Sequence, residues 1–343
     1  MRRLLLRSSN PFRLSPRWML ISYAILGLWA FIVLFPLYWL FVTSFKLPID
    51  VSSGPKYIPF VDFQPSLHAW EEMLVTNGPD YVGRPYTMTL IVGLNSALAS
   101  LVIGSGAAYA LTRFQYRPKP GLIVTFVGCI FAMAILMSQG IPWQFAVVLG
   151  LVIYFLLAQT IGRRFRGTMN NDDIAFWLIS QRILPPITVI IPIYILFQQL
   201  GMLDTPQALI VSYSAANIPI VVWFMRDYFQ TLPLEIEESA FIDGANRLQV
   251  LVRIMLPLAI PGLIATFLIV LVFSWNEYVI ALFLSGSQTQ TMPLLVSGQN
   301  GVRGPQWWNM SVLVGLMIAP LIILAVVLER YIAKGLLIGA VKG

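Results

Sequence analysis

Long apolar runs alternate with short polar, proline-rich or basic stretches, and the length of the runs decides the fold class. Residues 18–45 are predominantly apolar, with Pro36 inside, and comparable runs follow at 88–111, 121–138, 145–161, 174–199, 207–225, 261–284 and 310–328. About 20 apolar residues in helical form cross a hydrocarbon core. Inside lipid each segment must satisfy its own backbone polar groups, so each run is expected to be an α-helix. The pattern predicts an all-α, polytopic membrane protein with about eight transmembrane helices. The first run is too long for a signal-peptide core and no small-residue cleavage site follows it, so it reads as an uncleaved span. Its Pro36 is a tolerated kink, and Pro185, Pro186 and Pro192 interrupt the 174–199 run.

The polar stretches set the orientation. Arg2, Arg3, Arg7, Arg13 and Arg17 precede the first run, and Arg113, Arg117 and Lys119 follow the second. Arg163, Arg164 and Arg166 close the run at 145–161, and Arg330, Lys334 and Lys342 follow the last. Placing both termini in the cytoplasm leaves only Lys46, Lys56, Arg84 and Arg303 outside, of 22 Lys and Arg in all. The positive-inside bias selects that arrangement. The runs at 121–138 and 145–161, joined by the uncharged Gln139–Gln144, then read as a hairpin dipping outward from the cytoplasm. The proline-rich segment 46–86 cannot span and lies outside. The domain layout is a basic cytoplasmic N-terminus at 1–17 and a transmembrane domain at 18–343. That domain includes a hairpin at 121–168, a charged cytoplasmic loop at 226–258 and a tail at 329–343.

Composition narrows the function classes. Charged residues make up 11% of the chain and hydrophobic ones 58%, whereas ordinary soluble domains carry about 25% charge. The net charge of +7 belongs to loop basic residues and does not indicate nucleic-acid binding. A single histidine, His68, and a single cysteine, Cys129, build neither a zinc site nor an internal disulfide, and Cys129 is read as inert packing. There is no G-x-x-x-x-G-K-[ST] loop with which to hydrolyse ATP. Gly104-Ser105-Gly106 lies in an apolar run and reads as helix packing.

The most informative polar segment runs from Leu232 to Leu248. Thr231 is expected to N-cap a helix whose first turn holds Pro233 and whose acidic start is Glu235, Glu237 and Glu238. Ile236 and Ala240 share one face of that helix, and Gly244 is expected to end it in a left-handed conformation. A second helix is expected from Ala245 to Pro257. Physics leaves two readings: a knob pressed into a partner, or a solvated loop helix.

Glu238-Ser-Ala240, Asp243-Gly244-Ala245, Ile254 and Leu256-Pro257 resemble the E-A-A…D-G-A…I-x-L-P signature of permease subunits of binding-protein-dependent ABC importers. Phe63-Gln-Pro-Ser-Leu-His-Ala-Trp70, Ser274-Trp-Asn-Glu277 and Lys334-Gly-Leu-Leu-Ile-Gly-Ala-Val-Lys-Gly343 resemble the carbohydrate branch, similar to the smaller permease of maltose-type importers. The likeness spans nearly the whole chain except about 121–168, which is extra to a six-span pattern and reads as a peripheral, lipid-facing insertion or a docking element. Ser239 departs from the usual alanine but is also small.

The resemblance implies a type I ABC importer core in the inner membrane. The implied partners are a second permease subunit, an ATPase dimer and an external or periplasmic solute-binding protein. The chain itself would hold no cofactor and no catalytic residue; ATP and magnesium would sit on the ATPase. Glu238, Ser239, Ala240, Asp243, Gly244 and Ala245 would form the coupling helix. Polar groups inside spans are candidates for the solute pathway because they are costly in lipid. These are Trp275, Asn276, Glu277, Arg182 and Asn95, an aromatic, amide and charged set suited to a polyhydroxylated solute. For Trp275, Asn276 and Glu277 the alternative is a structural network between helices, and for Arg182 it is snorkelling to the cytoplasmic surface. A secondary transporter or a membrane-embedded enzyme is the rival function. The scarcity of ionisable groups in the spans argues against both.

Overall fold

A computed structural model describes residues 16–160, 167–301 and 304–340. The basic residues at 2–13, 163–166, 303 and 342, and the end of the tail, lie outside the described residues. In chain order the helices are α1 (Pro16–Thr43), α2 (Pro48–Ser52), α3 (His68–Glu71), α4 (Pro79–Arg113), α5 (Pro120–Ser138) and α6 (Trp143–Thr160). Next come α7 (Asn171–Ser180), α8 (Ile187–Gln199), α9 (Pro206–Gln230), α10 (Glu235–Ile242), α11 (Arg247–Val250) and α12 (Leu256–Leu258). The last are α13 (Ile260–Trp275), α14 (Val279–Leu284), α15 (Met292–Gly298) and α16 (Trp307–Ala340). Two residue pairs, Asn300–Gly301 and Gly304–Pro305, form a small antiparallel ladder before α16.

Among the described residues, five helices are long and apolar enough to cross a membrane, and seven spans result when each of two bent helix pairs is taken as one. The apolar α6, the partner of α5 in the hairpin, accounts for the remaining expected segment. The protein is all-α and multi-pass. Two of the expected spans are bent, for local reasons. Between α7 and α8 the chain turns by 90°: Leu184 is extended ahead of Pro185, and two successive prolines remove two helix donors. Between α12 and α13 it turns by 79°, where Ala259 ends one helix and Pro261 stands in the first turn of the next.

The 261–284 run, expected as one unbroken span, is interrupted. Helix α13 stops at Trp275, and the short α14 restarts at Val279. Asn276 folds its amide back onto the Val272 carbonyl at 2.8 Å, and a Glu277 carboxylate oxygen accepts the Ile280 N–H at 3.0 Å. The Val272 carbonyl also accepts the Asn276 N–H at 3.2 Å, so the amide adds a second bond at the end of α13, and Glu277 satisfies a donor in the first turn of α14.

The chain forms two compact units. The first comprises residues 16–86 and 292–320 of those described. Its α1 exposes apolar side chains along nearly its whole length, as a lipid-facing span does. The following polar segment folds around Lys46, which is only 2% exposed. The Lys46 ammonium donates to the Lys56 carbonyl at 2.6 Å and lies 3.9 Å from the Trp39 ring centroid, while Lys56 pairs with Asp50 at 2.5 Å. Burial holds the Lys46 pKa below the usual lysine range against the opposing pull of Asp50 and Asp62.

The second unit comprises residues 87–291 and 321–340 of those described, with α4, α9 and α13 at its core. Ser100 donates to the Ser214 carbonyl at 3.2 Å and Ser214 to the Ser96 carbonyl at 3.3 Å, tying α4 to α9. A Cβ on Gly104 would lie 2.6 Å from Val221, so Gly104 makes a close contact between α4 and α9, whereas a Cβ on Gly106 would meet nothing within 4 Å. Helices α5 and α6 pack on each other, with Phe126 and Tyr154 edge to face at 5.6 Å. Cys129 is buried and unpaired as a thiol.

Candidate functional site

The polar segment after α9 folds as a helix, a glycine elbow and a second helix. Helix α10 begins one turn later than expected: Thr231 caps the end of α9, donating its hydroxyl to the Tyr228 carbonyl at 2.7 Å, and Leu234 precedes the first turn of α10 without a side-chain cap. Gly244 adopts φ +85°, and Ala245 donates to the Ala240 carbonyl at 3.0 Å, closing a left-handed helix end. The next helix starts at Arg247 rather than Ala245. Asn246 and Gln249 form a reciprocal capping box at its start. It then passes through a π turn at Leu251–Met255 and ends beyond Pro257, at Leu258.

Of the residues singled out in the sequence, Glu238, Ser239, Asp243 and Gly244 are exposed, Ala240 is buried and Ala245 half-buried. Two neighbours that the motif reading passed over complete the exposed surface. Ile242 is 86% exposed, and Phe241 beside it is also exposed. An apolar tip on an acidic helix is unexpected for a solvated loop, since burying an isoleucine is worth about 1.5–3 kcal/mol.

The elbow is held from behind by Glu237, only 2% exposed. Its Oε1 accepts from Arg113 Nε at 2.5 Å and its Oε2 from the Tyr109 hydroxyl at 2.8 Å. Arg113 Nη2 also donates to the carbonyls of Phe229, at 3.2 Å, and Leu232, at 3.1 Å. Tyr109 and Phe229 pack edge to face at 5.8 Å, and the Arg247 guanidinium lies 4.5 Å from the Phe114 ring centroid. In sequence Glu237 is one of three acidic residues in a first helical turn; its partner stands 124 positions away.

A cavity of about 720 Å³ opens between the α7–α8 bend, α9 and the start of α14. Arg182 and Glu277 both line it, with Gln181, Ser212 and the apolar walls of α8 and α9. Arg182 donates to the Ala216 carbonyl at 3.1 Å, midway along α9, and its guanidinium lies 5.1 Å from the Phe273 ring centroid. The Tyr213 hydroxyl donates to the Glu277 carbonyl at 3.3 Å. The Ser212 hydroxyl is buried and, among the described residues, has no hydrogen-bond partner. The other candidates lie off this wall. Trp275 is buried against Gly93, Asn276 is exposed beside the break, and exposed Asn95 donates to its own helix at the Ile91 carbonyl, 2.7 Å.

These features define a class: a multi-pass, all-α membrane protein whose spans are interrupted by a braced polar elbow and, within the bundle, by a cavity carrying opposite charges. The profile of the family described as "Binding-protein-dependent transport system inner membrane component" matches residues 172–338, from α7 through the elbow into α16. The probable ABC transporter permease protein y4oR of Sinorhizobium fredii is 30% identical over 315 residues, covering 91% of this chain and 92% of that one. The diacetylchitobiose uptake system permease protein DasC of Streptomyces coelicolor is 27% identical over 313 residues, 91% and 92% of the two chains. The trehalose/maltose transport system permease protein MalG of Thermococcus litoralis is 29% identical over 324 residues, 92% and 94%. The chain belongs to the family of binding-protein-dependent transport system inner membrane components, as the resemblance around Glu238 to Pro257 implied.

Proposed function

We propose that the chain is a permease subunit of an ATP-driven importer for a sugar, polyol or similar hydroxylated solute. A second permease, an ATPase dimer and an external solute-binding protein complete the machine, and both termini of this chain lie in the cytoplasm. ATP and magnesium act on the ATPase, and this subunit supplies part of the pathway. The solute class is supported by the uptake systems for which the relatives are named and by the mixed apolar and polar cavity wall.

The observation that carries the reading is the geometry of α10. Its exposed face presents Glu238, Ile242 and Asp243, while its buried face is fixed to the bundle by Glu237. A rigidly backed knob suits docking into an ATPase cleft. Closure of the ATPase dimer on ATP would then drive α10 and switch access from one side of the membrane to the other, a rigid-body transition.

The test is to isolate the tagged chain from native membranes and reconstitute what accompanies it. An ATPase should co-purify, and uptake of a hydroxylated solute should require ATP and the binding protein. Uptake by the isolated chain driven by an ion gradient would instead make it a secondary transporter.

A further inference from the structure

We propose that Glu237 is a positioning residue that joins α10 to α4 and to the end of α9, so that motion imposed on the elbow passes into the bundle through those two helices. The proposal rests on the coupling role assigned to α10 and names the route by which it acts.

Three observations carry it. First, the carboxylate is occupied on both oxygens by side chains of α4, Arg113 and Tyr109. A buried charge of this kind is tolerated only when paired and fully hydrogen-bonded. Glu235 and Glu238, in the same turn, are exposed, so the helix does not need Glu237 inside merely to offset its dipole. Second, the same guanidinium binds the carbonyls of Phe229 and Leu232, which lie at and beyond the end of α9, where helical partners run out. One arginine of α4 therefore ties together the end of α9 and the neighbouring α10, both more than a hundred positions away from it in sequence. Third, the other route from the elbow is compliant. It leads through the π turn at Leu251–Met255 and the 79° bend before α13. A π turn interrupts the regular helical ladder and often marks a functional site. The stiff path from the elbow runs into α4 and α9, and the joint before α13 takes up the difference.

The experiment uses the assembled importer and reads two quantities: the ATPase bound per permease, and the ATP hydrolysed per solute imported. Glu237→Gln and Arg113→Lys leave the exposed face of α10 unchanged. Arg113→Lys keeps the charge but loses the planar fork that reaches the two carbonyls. Both variants should retain ATPase binding within about twofold, with ATP consumed per solute rising roughly tenfold, a shift of 1.4 kcal/mol in effective coupling. A normal ratio in Glu237→Gln overturns the proposal. A normal ratio in Arg113→Lys overturns the three-segment tie. Loss of ATPase binding in proportion to uptake, in both variants, also overturns it, because Glu237 would then act through the docking face. Ile242→Asp serves as the separate control. If it too leaves ATPase binding and uptake intact, the coupling role of α10 fails; if it abolishes docking while Glu237→Gln is normal, only the transmission route fails.

Discussion

Asp204 holds Thr289 twice through a single carboxylate oxygen, accepting its backbone N–H at 2.9 Å and its hydroxyl at 2.7 Å. The N–H groups of Gly286, at 2.8 Å, and Gln288, at 3.1 Å, complete the cage, and Asp204 donates its own N–H to the Leu284 carbonyl at 2.9 Å. The loop between α8 and α9 is thereby clamped to the segment that follows α14. The clamp fixes the far end of the interrupted stretch that begins at Asn276.

Burial works to raise the Asp204 pKa, but the Thr289 hydroxyl and the three N–H donors outweigh it and hold the carboxyl below the usual range. A depressed folded pKa stabilises the fold above the unfolded value, about 3.9, and that contribution is lost as pH falls through the folded value. Asp204→Asn should keep the backbone, since asparagine tolerates the φ of +57° seen here. It should cost about 1.5–3 kcal/mol, the scale of hydrogen bonds to a charged group. Thermal unfolding in detergent should show the full gap between variant and parent at pH 7 and at pH 5, narrowing only at more acid pH. A gap that closes between pH 7 and pH 5 would refute the assignment.

Docking at α10 is tested by two surface changes. Ile242 is so exposed that Ile242→Asp should alter folding by no more than about 0.5 kcal/mol, yet remove an apolar contact worth about 1.5–3 kcal/mol in an interface. ATPase co-purification should fall about tenfold or more at unchanged permease abundance. Gly244→Val puts a branched side chain at φ +85°, costing about 1–2 kcal/mol locally, and should redirect the elbow and uncouple hydrolysis from uptake. Normal ATPase binding and uptake in both variants would exclude the docking role.

The cavity separates solute contact from structural bonding. Ser212→Ala removes a buried hydroxyl that has no partner among the described residues, so stability should be unchanged or rise by about 1 kcal/mol. If the hydroxyl meets the solute, the KM for uptake should rise several-fold in the same variant. Glu277→Gln retains an oxygen to accept the Ile280 N–H and should assemble normally while altering the concentration dependence of uptake. Loss of assembly in Glu277→Gln, or a destabilised Ser212→Ala, would mark these groups as structural.

The segments flanking the hairpin are already joined to each other, so its removal should leave the rest of the bundle assembled. Met169 donates to the Pro118 carbonyl at 2.9 Å, and Asn171 accepts the Tyr116 N–H at 2.9 Å while donating to the carbonyls of Leu111 and Phe114. Replacing residues 121–166 by a short polar linker should lower membrane abundance more than transport per assembled complex. Normal abundance with lost transport would place the hairpin in the pathway.

The apolar runs are legible because lipid forces each one to satisfy its own backbone, and length then identifies it. The elbow is legible for the opposite reason: Gly244 and its neighbours form a local pattern in which every determinant lies within a few residues. What escapes the sequence is long-range. Nothing near Glu237 distinguishes it from Glu235 or Glu238 until Arg113 and Tyr109 are brought alongside. The interruption after Trp275 escapes because apolar composition continues across it; Glu277 takes up a backbone donor where α14 restarts, and hydropathy does not register that. Thr231 misleads because one hydroxyl suits either helix terminus, and the end of α9 takes it. In sequence Arg182 is open between two fates, and its placement on the cavity wall depends on Ala216 and Phe273 in two other helices.

The bonds between 116–118 and 169–171 staple the base of the hairpin independently of its two apolar arms. If transport per complex survives removal of the hairpin, that junction is a socket for foreign cargo. A small fluorescent domain or an antibody epitope spliced there would ride on the membrane protein without threading through its core. Single transporters could then be counted and followed in living cells while they work.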